Sequence, residues 1–253
     1  MIVTLSPAKI LDFDSEVSAT SFSQAQFSKE ADELNELMKK KSIDDIAMLM
    51  KINPTLAQST YEYVHSFDLE QVPSRQAAFV YNGIAYQGLD ANTLSADDFE
   101  FAQKYLVIFS GLYGMLRPLD MIKPYRLELQ TKLKNRRGAN LYDFWKETLT
   151  KHLSQMMTED DKVWVNLSSN EYSKVIDKKK LPKGHQIITP IFKEAKGDTY
   201  KQVIVYAKKA RGMMARFIVQ NKIDNTEYLK AFDTEGYCYS EQLSSAEEWV
   251  FIR

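Results

Sequence analysis

A single cysteine, Cys238, is all the thiol chemistry in this chain of 253 residues, so no internal disulfide staples the fold, in keeping with a reducing compartment. Cys238 itself is expected as a small, half-buried residue of a C-terminal strand. Histidine is almost as scarce. His65, His152 and His185 are scattered without HxxxH or HxxE spacing, which argues against a metal site. No stretch approaches eighteen consecutive apolar residues, and the start MIVTLSPAK lacks the basic lead and long apolar run of a secretory signal. Neither a membrane span nor a membrane partner is therefore expected, and the location predicted is cytoplasmic. A Walker loop, a GxGxxG after a strand and a GxSxG elbow are all missing, so no cofactor and no catalytic residue is assigned. Low-complexity linkers, internal repeats and breaks in composition are missing too.

What is present describes a globular protein. Apolar residues make up 44% and charged residues 26%, close to the average for soluble domains. The length suits one large domain or two small ones, and without a boundary signal the expectation is one unit over 1–253. MIVTL reads as a strand ending at Ser6-Pro7. Helical spacing follows from Ser28, with further helix starts at Ser42, three residues before Asp45, and at Asn53-Pro54. AFVYNG reads as a strand and turn, Ser95 opens another helix, and YLVIFSG is an apolar run with the signature of a strand buried on both faces. Asn140 caps LYDFWKETLTKHLSQMM, VWVNLSS is a second buried strand, and NEYSKVID a short helix. HQIITPIFKE and TYKQVIVYAKK look like paired strands around Lys196-Gly197-Asp198. KKARGMMARFIVQNKI has helical period, and EEWVFIR closes as a strand. The sum predicts α/β or mixed α+β: a single compact domain whose mixed sheet is flanked by helices.

Net charge is only −1, yet it is segregated along the chain. Residues 1–100 carry 7 Lys/Arg against 16 Asp/Glu, residues 104–137 carry 8 against 2, and residues 174–222 carry 13 against 3. Screening over about 8 Å lets a local positive field survive on a neutral molecule. A basic face is predicted if the two basic segments converge.

Within the first of them, FSGLYGMLRPLDMIKPYRLEL (109–129) sets Gly111 and Gly114 just past a buried strand, where glycine admits close backbone approach or positive φ. Prolines hold the following segment extended, giving Arg117, Lys123 and Arg126 a defined direction toward an anion. In the second, Lys208 and Arg211 share a helical face with Lys209 and Arg216 beside them, and Gly212 leaves a gap for a backbone or phosphate. A solvated charged face is the bland alternative. NLSSNEYSKVI places Asn170, Glu171 and Tyr172 beyond another strand's carboxyl end, a usual place for ligands in α/β folds, with Lys9 as a candidate neighbour. Ser169 reads as a helix cap.

Taken together, SPAKILDF (6–13), FSGLYGMLRPLDMIKPYRLEL, NLYDFW (140–145), VNLSSNEYSKVI (165–176), KKARGMMARFIVQNKI (208–223) and the EWVFIR terminus resemble the YaaA family, in family order across nearly the whole chain. The resemblance implies a cytosolic bacterial protein of the peroxide stress response that limits free iron and so protects DNA. It also implies DNA binding through a positive cleft, in a single-domain α/β fold unlike common superfolds, with a helix-hairpin-helix-like element. For that element the 208–223 helix and its preceding turn are favoured over GLYG.

The leading expectation is thus a DNA-binding, non-enzymatic stress protein that meets double-stranded or structured DNA mainly at phosphates. Arg117, Lys123, Arg126, Lys208, Lys209, Arg211 and Arg216 would make the contacts, and Gly111, Gly114 and Gly212 would admit the backbone. The rival is an enzyme on a small phosphorylated or nucleotide-like substrate, using Lys9, Arg126, Asn170, Glu171 and Tyr172. Direct iron binding is a third, weaker option. A deep pocket with a shifted carboxylate favours the rival, and a long open basic groove favours DNA.

Overall fold

The computed structural model describes residues 1–17, 19 and 21–253. In chain order the elements are β1 (Ile2–Leu5), β2 (Ser23–Gln24), α1 (Ser28–Lys39), α2 (Ile43–Met50), α3 (Pro54–Ser66), β3 (Arg75–Gln76), α4 (Ala77–Val80), α5 (Ile84–Leu89), α6 (Ala96–Tyr105), β4 (Leu106–Ser110), β5 (Gly114–Leu116) and β6 (Asp120–Ile122). The second half adds α7 (Leu141–Glu159), β7 (Val163–Asn166), α8 (Asn170–Ser173), β8 (Gln186–Lys196), β9 (Thr199–Lys201), α9 (Ile204–Gln220), β10 (Cys238–Tyr239) and β11 (Glu248–Ile252).

An eight-stranded mixed sheet runs in the order β10-β11-β8-β7-β1-β4-β5, with β9 paired to the far end of β8. Strands β1, β4, β7, β8 and β11 are parallel to their neighbours in that row, whereas β5, β9 and β10 turn back antiparallel. A small second sheet, β2-β6-β3, lies apart. The parallel strands β1, β4 and β7 are buried at every position, as continuous apolar runs require when both faces are covered. One hydrophobic cluster reaches from Met1 to Phe251, so the chain is a single compact domain. Among the described residues no helix is long and apolar enough to cross a membrane.

Local signals account for most boundaries. Ser42 and Ser95 each form a reciprocal capping box, with Asp45 and Asp98 respectively. Asn53 caps α3 ahead of Pro54, and Asn140 caps α7 by accepting from the Asp143 amide. Three expectations are corrected. AFVYNG holds the short helix α4, not a strand: Ala77, Ala78 and Val80 are all buried, and the Ala78 amide donates to Pro118 O, 2.9 Å away, outside any ladder. The segment after Lys201 is helical already from Ile204. Strand β8 spends its edges on β7 and β11 through Lys193, leaving only Glu194–Lys196 for β9. The β-branched run Val203–Val205 therefore has no ladder to join. Cys238 is exposed rather than half-buried, on β10 beside the Ile252 carbonyl.

Topology places a crevice. From β1 the chain crosses to β4 on one side, while from β7 it continues to β8 on the other. Loops leaving the carboxyl ends of β1 and β7 therefore diverge, which opens the space where ligands bind in doubly wound sheets.

Candidate functional site

A cavity of about 360 Å³ occupies that crevice, within the size range of small-molecule sites. Its floor is the loop after β1, Ser6 to Ile10, with Leu167 and Ser169 after β7 and Glu171 and Tyr172 on α8. Ser6 joins the two: its hydroxyl accepts from the Ser169 amide at 2.9 Å, and its carbonyl accepts from the Tyr86 hydroxyl at 2.9 Å. One wall is the start of α5 with Asn82 and Gly83, and another is the segment Tyr125–Glu128. The cationic face of α9 contributes Lys208 and Arg211, one helical turn apart.

Two close backbone approaches hold these walls. A side chain at Gly212 would overlap the Ala85 carbonyl, and one at Gly88 the Lys209 carbonyl, so α5 and α9 cross with glycine facing backbone in both directions. At the end of β4, a Cβ on Gly111 would run into the Leu127 carbonyl, which presses Arg126 and Glu128 against the sheet edge.

The charges in the cavity are incompletely matched. Glu128 takes Lys9 Nζ at 3.1 Å and Arg126 at 3.6 Å, and Arg126 also donates to the Lys9 carbonyl at 3.3 Å. Among the described residues the side chains of Arg211 and Lys208 make no hydrogen bond or ion pair. Arg211 is half-buried, and its desolvation lowers its pKa, the mark of a cation held away from water without an anion. Glu171 is the reverse case. Its Oε1 is buried with no hydrogen-bond partner, and its pKa is raised, first by burial and then by Glu128, against the Gln130 amide, Lys9 and Lys174. A half-satisfied carboxyl and an unmatched guanidinium lining one cavity are an arrangement that a ligand completes.

Tyr86 and Tyr125 supply apolar walls, because their hydroxyls are committed elsewhere. Tyr125 OH meets Tyr81 OH at 2.6 Å and Ser110 Oγ at 2.7 Å, and burial lifts its pKa to about 12. Tyr86 and Tyr172 are held neutral by burial as well.

Of the residues singled out in the sequence, Lys9, Arg126, Glu171, Tyr172, Lys208 and Arg211 meet in this one cavity. The others have structural engagements. Arg117 binds the buried Asp120 at 3.0 Å, and Lys123 donates to the Phe67 carbonyl at 2.6 Å behind α3. Lys209 pairs with Glu235, and Arg216 donates to the Leu89 and Asp90 carbonyls at the end of α5. The gaps expected at Gly111, Gly114 and Gly212 are filled by the chain itself, at Gly114 (φ +69°) by Trp145 and Leu149. Asn170 is exposed on α8 and does not line the cavity. Ser169 is the N-cap of α8 but makes no side-chain capping bond. Neither stretch favoured for a helix-hairpin-helix lies between two helices: GLYG joins β4 to β5, and α9 follows β9. Among the described residues, the two basic segments share this cavity through Arg126, Lys208 and Arg211.

Comparison with known proteins settles the family. The profile described as peroxide stress protein YaaA matches residues 1–243. The chain belongs to the peroxide stress protein YaaA family. Relatives include UPF0246 proteins of Shewanella pealeana and Hahella chejuensis, each 44% identical over 256 aligned residues that take in all of this chain and 99% of the relative. One of Alteromonas mediterranea is likewise 44% identical, covering 98% of its length. Family membership supports a role in oxidative stress, and the matched span holds every residue of the cavity, from Leu5 to Arg211.

Several cavity residues escaped the sequence reading. Glu128 and Tyr125 sit inside the stretch singled out for its cations, where an acid and an aromatic drew no attention. Ser6, Asn82 and Tyr86 carried no local signal, because only the fold brings the β1 loop and α5 together.

Proposed function

We propose that this member of the peroxide stress family acts by holding a nucleotide unit in the strand-end cavity, its phosphate against Arg211 and Lys208. The observation that carries the reading is the unmatched Arg211: a half-buried guanidinium with no partner among the described residues, lining a partly open cavity of about 360 Å³. Guanidinium is the natural partner of phosphate, and the tyrosine and leucine walls suit a base or sugar. The site is a partly open cavity of limited size rather than a long basic groove, which favours one nucleotide over an extended duplex footprint.

DNA is the second source of the same chemistry. In its favour, Lys9 and Lys208 are exposed at the cavity mouth, and the family resemblance implies protection of DNA from iron-dependent damage. In this reading a strand end or extruded nucleotide enters the cavity, and contacts are to phosphate rather than sequence. No catalysed step is part of either reading.

Calorimetric titration of AMP, GMP, CMP and UMP, alongside fluorescence anisotropy of labelled duplex and single-stranded DNA in a salt series, tests both. Free nucleotides bind and Arg211→Met weakens them if the cavity is a small-ligand site. Should only DNA bind, the log–log salt slope counts its phosphates at about −0.9 each on duplex. The four cavity cations, Lys9, Arg126, Lys208 and Arg211, correspond to at most about −3.6, short of an extended groove. Binding of neither class, or binding indifferent to Arg211→Met, overturns the proposal.

A further inference from the structure

We infer that the cavity selects a nucleotide whose base carries an amino group, with Glu171 accepting its N–H bonds at the end away from the phosphate. The inference rests on the nucleotide reading above and concerns which nucleotide the site prefers.

Glu171 lines the cavity, and its Oε1 is buried without a partner. A buried acceptor left unmade is costly in an empty site, a cost removed by whatever ligand donates to it. The glutamate terminal torsion is broad, so an incoming donor draws this oxygen into the cavity at little cost. The other groups around Glu171 leave that role open. The Gln130 amide supplies one hydrogen bond, Lys9 is committed to Glu128 at 3.1 Å, and Lys174 sits over the Tyr142 ring at 4.5 Å. Cationic groups and the polar acceptor are contributed by separate elements: Arg211 and Lys208 from α9, Glu171 from α8. A ligand satisfying both is anionic at one end and an N–H donor at the other. Tyr86 and Tyr125 line the same cavity, and because their hydroxyls are bonded to Ser6, Tyr81 and Ser110, their rings present apolar surface. An amino-bearing base joined through a sugar to phosphate has this order of groups. Carboxylates read exocyclic amines directly, as in glutamate or aspartate contacts to the cytosine amino group.

The test is titration of the full chain near neutral pH with two matched pairs, CMP against UMP and GMP against IMP, each differing at an amino position. The amino-bearing member of at least one pair should bind about tenfold tighter or more. In Glu171→Gln, which keeps the side chain's shape but offers a donor as well as an acceptor, that preference should shrink to about twofold. Equal or tighter binding of both UMP and IMP by the wild type overturns the inference without recourse to any variant. A preference that survives unchanged in Glu171→Gln overturns it too. Failure of all four nucleotides to bind overturns the nucleotide reading itself and this inference with it, an outcome distinct from loss of preference.

Discussion

Gly212 on α9 lies against the carbonyl oxygen of Ala85 on α5, leaving no room for a side chain between the helices. The reciprocal contact, Gly88 against the Lys209 carbonyl, makes the crossing symmetrical. Glycine inside a helix costs about 1 kcal/mol relative to alanine, and here it places Lys208 and Arg211 on one wall of the cavity and Ala85 and Tyr86 on another. Helix propensity gives way to site geometry at this position.

Gly212→Ala should therefore destabilise the fold by about 1–3 kcal/mol, the range for overpacking a tight contact, and weaken nucleotide binding as α9 moves outward. Urea denaturation measures the first and titration the second. On a solvated helix the same substitution would stabilise by up to about 1 kcal/mol, so the sign of the change decides between packing and propensity.

Gly212 also shows where sequence reading stops. Its absent side chain was legible as a gap through which a backbone would pass, but not that the backbone is the protein's own. Caps at Ser42, Asn53, Ser95 and Asn140 were readable because each is a local bargain between neighbours three residues apart. AFVYNG and the Val203–Val205 run were misread because their state is set by distant partners, Pro118 for the first and the exhausted edge of β8 for the second. Charge behaved likewise. Arg117, Lys123 and Arg216 resemble Arg126 and Arg211 in sequence, yet the first three end on internal acceptors and Arg211 ends on none.

Arg211→Met removes a desolvated cation that no anion offsets. Stability should be unchanged or higher by up to about 1 kcal/mol, since an apolar side chain of similar length suits the half-buried position better than an unpaired charge. Affinity for AMP should fall about tenfold or more. Thermal denaturation and calorimetry on the same sample check both. A stability loss above about 2 kcal/mol would show that Arg211 supports the fold instead.

Arg117→Met should do the opposite. Asp120 is wholly buried and receives the Arg117 amide at 2.8 Å, its guanidinium at 3.0 Å and the Ser23 hydroxyl at 2.6 Å. Removing the guanidinium leaves that carboxylate without its counter-charge. Because Arg117 is 44% exposed, solvent screens the loss, and about 2 kcal/mol is expected rather than the 3–5 of a fully buried pair. Nucleotide affinity and the salt slope on DNA should not change. A shallower slope in a folded Arg117→Met protein would make this arginine a phosphate contact after all.

Glu171 gives the cavity a pH signature that is opposite in sign to that of a salt-bridged acid. Its pKa is raised in the folded protein by burial and by Glu128, outweighing the Gln130 amide, Lys9 and Lys174. The folded state therefore binds its proton more tightly than the unfolded chain does. Stability from this group is fully present below the unfolded value of about 4.3 and falls as pH rises through the raised folded value. Glu171→Gln, which cannot ionise, escapes that decline. The difference in melting temperature, variant minus wild type, should thus be more positive at about pH 7 than at about pH 4. Titrating groups remote from Glu171 cancel largely in the subtraction because they are common to both proteins. Bound nucleotide with an amino-bearing base should reverse part of the effect at pH 7, because its N–H donors satisfy the ionised carboxylate. A difference independent of pH would mean that Glu171 is solvated like a surface acid and that its orphaned oxygen asks nothing of a ligand.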